Sequence, residues 1–298
     1  MNSNSATQAP WLNRVEYPFE SKFFKTPAGT MHYVDEGSGD PVVFVHGNPV
    51  WSFVYRNVIS SLSKDFRCIA ADHIGFGLSD KPADWSYLPE DHARNLELLL
   101  ESLDLKRITL VVNDWGGPIG LSYALRHPER IANLVISNTW LWPVDSDWYY
   151  QAFSGFMGGP IGQWLTHEFN FFVRSFMWMV YGDKARLTPE VHEQYIHPFD
   201  NREERKGMWV FPKQIIDASP WLGSLWSAIG VLKDKNVLLA WGMKDIAFRE
   251  NEMNTWKKAF PDAAVVRFED AGHYVAEEQP VEYAREIRKF AGTPLDQA

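Results

Sequence analysis

The sequence predicts an α/β fold: a mostly parallel sheet covered by helices on both faces and interrupted by one helical insertion. Three observations carry this. Strand-like and helix-like segments alternate along most of the chain. The strand candidates are short apolar runs that do not alternate with polar residues, as expected of strands buried on both faces. The interval from about 140 to 229 breaks the alternation, being helical, rich in aromatics and without a strand candidate.

In chain order, residues 31–35 read as a strand closed by the turn Gly37-Ser38-Gly39-Asp40. Residues 42–45 form a buried run ending at His46-Gly47-Asn48-Pro49, and 51–62 have helical spacing. A strand at 66–71 ends at Asp72-His73. Residues 90–103 are an amphipathic helix with Leu96, Leu99, Leu100 and Leu103 on one face. The run 108–112 leads into Asn113-Asp114-Trp115-Gly116-Gly117, and 118–126 reads as a helix that tolerates Pro118 in its first turn. Strands follow at 131–136, 236–240 and 264–268, with helices near 250–259 and 281–290. The expected architecture is an eight-stranded sheet, seven strands of which can be placed. The main domain is read as 1–139 with 230–298 and the helical cap as 140–229, with short tails at 1–10 and 292–298.

Composition narrows the function. The net charge is −9 and Lys and Arg occur singly, so neither nucleic acid nor an anionic membrane is an expected partner. No apolar run reaches the roughly 20 residues of a membrane span, and the polar start lacks the pattern of a secretory signal. Cys68 is the one cysteine, so an intramolecular disulfide is impossible and a buried, inert thiol is expected. A cytoplasmic protein follows. Most of the 14 Trp are expected to pack.

Four local signals carry chemistry. Residues 112–117, between a strand and a helix, have the shape of a nucleophile elbow exposing Asp114, although Val112 stands where such turns usually have Gly. His46–Pro49 follows a buried strand, where a backbone N–H can help bind an oxyanion; those of Asn48 and Trp115 are the candidates. His273, in Asp270-Ala271-Gly272-His273, follows the last strand and can act as base. Asp245, in Gly242-Met243-Lys244-Asp245, follows the strand before it and can hold His273. Each signal alone has an ordinary structural explanation: a helix cap, a Gly-Asn-Pro turn, one of 9 histidines, a turn aspartate. Together they stand in the order nucleophile, acid, base. His192 and His197 are five apart, the wrong spacing for a metal pair on one helix face; no metal and no cofactor is expected.

These segments, with Asp72-His73-Ile74-Gly75-Phe76-Gly77-Leu78-Ser79-Asp80-Lys81-Pro82, make the chain resemble haloalkane dehalogenases of the α/β-hydrolase superfamily over roughly residues 20–290. The resemblance implies Asp114 as nucleophile, His273 as base and Asp245 as acid. It implies the Asn48 amide and the Trp115 indole as halide donors, small haloalkanes as substrates, and halide as product. The family's other acid position, after the sixth strand, is Asn138 here, which favours Asp245. In some relatives a cap Trp binds halide; Trp164 and Trp178 are candidates that Asn48 makes unnecessary, and packing is expected of both. The chemistry agrees. A carboxylate attacking sp³ carbon gives an ester that water can cleave, whereas a serine would give an inert ether. Epoxide hydrolases share the fold and the Asp nucleophile but protonate the leaving oxygen from cap tyrosines, for which Tyr149, Tyr150, Tyr181 and Tyr195 are available. A binding protein or luciferase on the same scaffold is the remaining alternative.

Overall fold

The computed structural model describes residues 9–292; most of both expected tails lies outside them. Eight strands form one sheet in the order β1-β2-β4-β3-β5-β6-β7-β8. They are β1 Lys22–Thr26, β2 Gly29–Glu36, β3 Pro41–Val45, β4 Arg67–Ala71, β5 Ile108–Asn113, β6 Ile131–Ser137, β7 Asn236–Gly242 and β8 Ala264–Phe268. The pairings β1–β2 and β2–β4 are antiparallel and the rest parallel. Seven strands fall where the apolar runs predict. The eighth, β1, is an edge strand with no buried residue, so it leaves no apolar run to read. At the centre, every residue of β3 and β5 is buried.

Helices α1 Arg56–Leu62, α2 Pro89–Ser102 and α3 Gly116–Arg126 follow β3, β4 and β5, as parallel crossovers require. The stretch expected to be one helix over 51–62 is a 3-10 turn, Ser52–Tyr55, running into α1. Between β6 and β7 lie α4 Trp148–Met157, α5 Pro160–Phe169, α6 Met177–Val180, α7 Pro189–Ile196, α8 Lys206–Asp217 and α9 Ser219–Ser227. A π-helical turn, Phe172–Phe176, precedes α6. After β7 come α10 Glu250–Ala259, and after β8 the short α11 Val275–Glu278 and α12 Pro280–Ala291. Cys68 is buried, which pushes its thiol up to about 12.

One buried ion pair ties α1 to α11. Arg56 Nη1 lies 2.6 Å from Glu277 Oε2, and Tyr195 Oη donates to the same carboxylate oxygen. Burial opposes the Arg56 charge, but Glu277 outweighs it and raises the guanidinium's pKa further. Removing one member of such a pair leaves an uncompensated buried charge, which costs about 3–5 kcal/mol. Arg56 Nε keeps Glu16 at 3.2 Å, so Glu277→Gln should lower the unfolding free energy read from urea titration by at most that amount; a value equal to wild type would refute a stabilising role for the pair.

Candidate active site

Strand β5 ends at Asn113, and the next residue, Asp114, has φ +52°, a conformation that costs a non-glycine residue energy and that tertiary contacts must hold. Several do. The Asp114 N–H donates to Asn138 O at 3.0 Å and its carbonyl accepts from Gly117 N–H at 2.9 Å and Thr139 Oγ1 at 2.5 Å. The Asn113 amide donates to the carbonyls of Asn138 and His273 at 3.2 and 3.1 Å. Val112 is accommodated because Gly120 faces it; a Cβ there would press on the valine's methyl group. The room that an elbow usually gains before its nucleophile is gained here after it.

The Asp114 carboxylate is divided between two environments. Oδ1 accepts the Asn48 backbone N–H at 2.7 Å, and the Trp115 backbone N–H also bonds the carboxylate. Oδ2 makes no hydrogen bond among the described residues and lies 3.7 Å from His273 Nε2. Gly47 permits this approach, since a Cβ at that position would collide with the carboxylate. Burial raises the Asp114 pKa above the usual carboxylate value, against the pull of His273 and the two backbone N–H groups.

His273 stacks on Phe248, and its Nδ1 lies 2.9 Å from Asp245 Oδ2. Asp245 in turn accepts from Asn138 Nδ2 at 2.9 Å and from the Ala247 N–H at 2.7 Å. Burial works against a charged His273, but the carboxylates of Asp245 and Asp114 prevail and raise its pKa. All five residues singled out in the sequence, Asp114, His273, Asp245, Asn48 and Trp115, thus meet at one place. Asn138, set aside there because it carries no charge, orients the acid from the sixth-strand position; its side-chain oxygen also accepts the Gly242 N–H.

A cavity of about 210 Å³ opens over Asp114. Its polar floor is Asn48, Asp114, Trp115 and His273, and the walls are mainly apolar, including Phe153, Phe172, Phe176 and Ile215. Phe172 and Phe176 lie one π-turn apart, the irregularity that brings both to the cavity. The Trp115 indole faces this space, while Asn48 Nδ2 donates one hydrogen to Met208 O at 3.2 Å and keeps the other. Tyr274 also lines the cavity, a residue the sequence reading passed over although it follows His273 directly. Of the four cap tyrosines, Tyr149 and Tyr150 reach the cavity, but their hydroxyls donate to the carbonyls of Ile246 and Ala247. Tyr195 is engaged with Glu277, and the buried Tyr181 hydroxyl has no partner among the described residues and lies outside the lining. Neither Trp164 nor Trp178 lines the cavity. Trp178 packs in the insertion as expected, but Trp164 is 55% exposed, edge-on to Phe169, so packing in the core does not explain it.

Among the described residues, the one cluster close enough to share a metal ion is Glu97, Glu101 and His127, none of which lines the cavity. No helix among them is long and apolar enough to cross a membrane.

The alpha/beta hydrolase fold family matches residues 40–280. "Haloalkane dehalogenase 2" of Mycobacterium tuberculosis is 39% identical over 273 residues, 91% of this chain and 94% of that protein. The "Cis-3-alkyl-4-alkyloxetan-2-one decarboxylase" of Shewanella oneidensis is 37% identical over 282 residues, 92% of this chain and 88% of that one. Among solved structures, the haloalkane dehalogenase DatA of Agrobacterium tumefaciens superposes with a TM-score of 0.83 at 26% identity, covering 92% of this chain and 96% of its own.

The two carboxylates around one imidazole give a measurable coupling. Since Asp114 is one of the charges that raise His273, Asp114→Asn should make the His273 ring titrate at lower pH than in wild type, read by NMR of the imidazole protons. An unmoved titration would mean that the two groups do not interact.

Proposed function

The chain belongs to the α/β-hydrolase fold family and to its haloalkane dehalogenases, hydrolases of carbon–halide bonds, and from that premise we propose a mechanism in which Asp114 attacks the halogen-bearing carbon. The observation that carries it is the division of the Asp114 carboxylate: Oδ1 tied to the Asn48 backbone N–H, Oδ2 without a hydrogen bond among the described residues and 3.7 Å from His273. Attack by Oδ2 forms an alkyl ester and expels halide towards the Trp115 indole N–H and the second Asn48 amide hydrogen. These neutral donors stabilise developing negative charge in an apolar cavity.

Alkylation removes the Asp114 charge. His273 then loses one of the carboxylates that raise its pKa, which favours the neutral imidazole that a general base must be. It takes a proton from water, which adds to the ester carbon. Charge develops on Oδ1, already bound by the Asn48 N–H, with the Trp115 backbone N–H beside the same carboxyl, so these donors are in place for the oxyanion. Asp245 stabilises the imidazolium, which returns its proton to the departing alcohol. The products are alcohol, halide and a proton. Residues 140–229 act as a cap over a main domain of 1–139 and 230–298; Phe172, Phe176 and Ile215 from that segment wall the cavity. A cytoplasmic setting belongs to the same proposal.

The oxetanone decarboxylase relatives favour a second substrate for the same site, at nearly the identity of the dehalogenases and over the same span. Asp114 attack on the sp³ ring carbon would expel a carboxylate to the same N–H donors. Loss of CO₂ would then pass its bonding electrons into a C=C bond and eject Asp114 unchanged. That route needs no water and no base, which separates the two readings. The epoxide reading is disfavoured by the engaged hydroxyls of Tyr149 and Tyr150, and the binding-protein reading by the filled catalytic positions.

Wild type should release halide from 1,2-dibromoethane and 1-bromobutane, and Asp114→Ala should release none; halide from neither protein would overturn the dehalogenase mechanism. His273→Phe should release about one halide per site and gain the alkyl mass. With a cis-3,4-dialkyloxetan-2-one, alkene and CO₂ formed by both wild type and His273→Phe would establish the second reaction, and an untouched lactone would remove it.

A further inference from the structure

Two backbone segments cross directly behind the imidazole. One, residues 180–183, leaves α6; the other, residues 271–274, carries His273. The His273 N–H donates to Val180 O at 2.9 Å. The segments approach through glycine, for a Cβ on Gly182 or on Gly272 would run into the backbone of the other.

A single carboxylate sits at this crossing and accepts from both sides. Glu278 Oε1 receives the Gly272 N–H at 2.9 Å and Oε2 the Asp183 N–H at 2.7 Å. The backbone N–H groups of Gly182 and Tyr274 add to the same field. Glu278 is 1% exposed. Unlike Glu277, which holds Arg56, it has no ion pair among the described residues. A polar cavity borders it, but the two cations there, Lys244 and Arg186, pair with Asp270 and Asp183. Burial pushes its carboxyl up to about 7, against the backbone donors that draw it down. A buried carboxylate without a cation is costly unless its hydrogen bonds are made, and here every bond it makes serves one of the two crossing segments or its own short helix.

We propose that Glu278 is a positioning residue whose two carboxylate oxygens lock segment 180–183 to loop 271–274 and so hold His273 in place for hydrolysis of the Asp114 ester. This rests on the reading of His273 as base. The lock has no bearing on carbon attack, which uses Asp114 and the halide donors alone. Glu278→Gln keeps the shape but turns an N–H₂ group towards one backbone N–H, so one side of the crossing opens. Glu278→Asp keeps both oxygens on a shorter arm.

The test pairs kinetics with amide exchange. On mixing with 1-bromobutane, Glu278→Gln should show a halide burst within about twofold of wild type. Its steady-state turnover should fall about tenfold or more, the scale expected when a reacting group is misplaced by a fraction of an ångström, and alkyl-enzyme should accumulate by mass. Hydrogen exchange should quicken at Asp183 and Gly272, with Glu278→Asp intermediate in exchange and turnover. Burst and turnover falling together, or exchange at both amides unchanged, would overturn the proposal. Were Glu278→Gln not to fold, Glu278→Asp carries the same readouts. Absence of halide release by wild type would fell the dehalogenase mechanism, while the exchange measurement still decides the lock.

Discussion

The site turns on one constraint: in the proposed mechanism a carboxylate must be buried, to attack carbon in a mainly apolar cavity, and yet stay ionised. Burial alone favours its neutral form. The fold meets this by aiming backbone donors at the carboxylate, Asn48 N–H on Oδ1, and leaving Oδ2 beside an imidazole with no hydrogen bond among the described residues. Those donors come from two loops, after β3 and after β5, that no local sequence preference joins. The parallel pairing of the strands joins them: Val45 stands in register with Val112, so the chains leave the sheet side by side and bring Asn48 and Trp115 to the same carboxylate. The positive φ of Asp114 and the bare Cα of Gly47 are the local costs of that meeting.

The imidazole is held by a second set of contacts with a different logic. Asp245 aligns the ring through Nδ1, Asn138 aligns Asp245, and Phe248 supplies a face to stack on. These fix orientation. The backbone of His273 is fixed from the other side, by Val180 and the crossing that Glu278 bridges. The cavity-lining segment and His273 therefore share a mechanical joint. The segment that closes α6, whose turn before it carries Phe172 and Phe176 into the cavity, is the segment against which the base is braced.

Much of this was legible in the sequence, for identifiable reasons. Buried parallel strands write themselves as apolar runs, and the polar residues that end them, Asp114, Asp245 and His273, stand out by contrast. β1 was not legible, because an edge strand such as Lys-Phe-Phe-Lys-Thr carries no such run. Asn138 was read only as a missing charge; its work is done by hydrogen bonds to residues about a hundred positions away, which no spacing encodes. Glu278 was hidden next to Glu277, since two adjacent acids look alike until one is found on an arginine and the other on backbone N–H groups. Trp164 shows the opposite error, an aromatic assigned to packing that faces outward.

The absence of any Lys or Arg among the residues lining the cavity bears on turnover. A cation would stabilise the departing halide, but it would do the same for free halide afterwards and would depress the nucleophile's reactivity by pairing with Asp114 beforehand. As the proposed halide donors, the neutral N–H groups of Trp115 and Asn48 would avoid both effects, and their directionality would confine the help to the place where charge appears. The site's own charge completes the argument. Before attack, the negative charge is on Asp114; after it, the charge is on the halide and Asp114 is an ester. In the proposed cycle the ionic environment of His273 thus changes as its role begins, because alkylation removes one of the carboxylates that raise the imidazole's pKa.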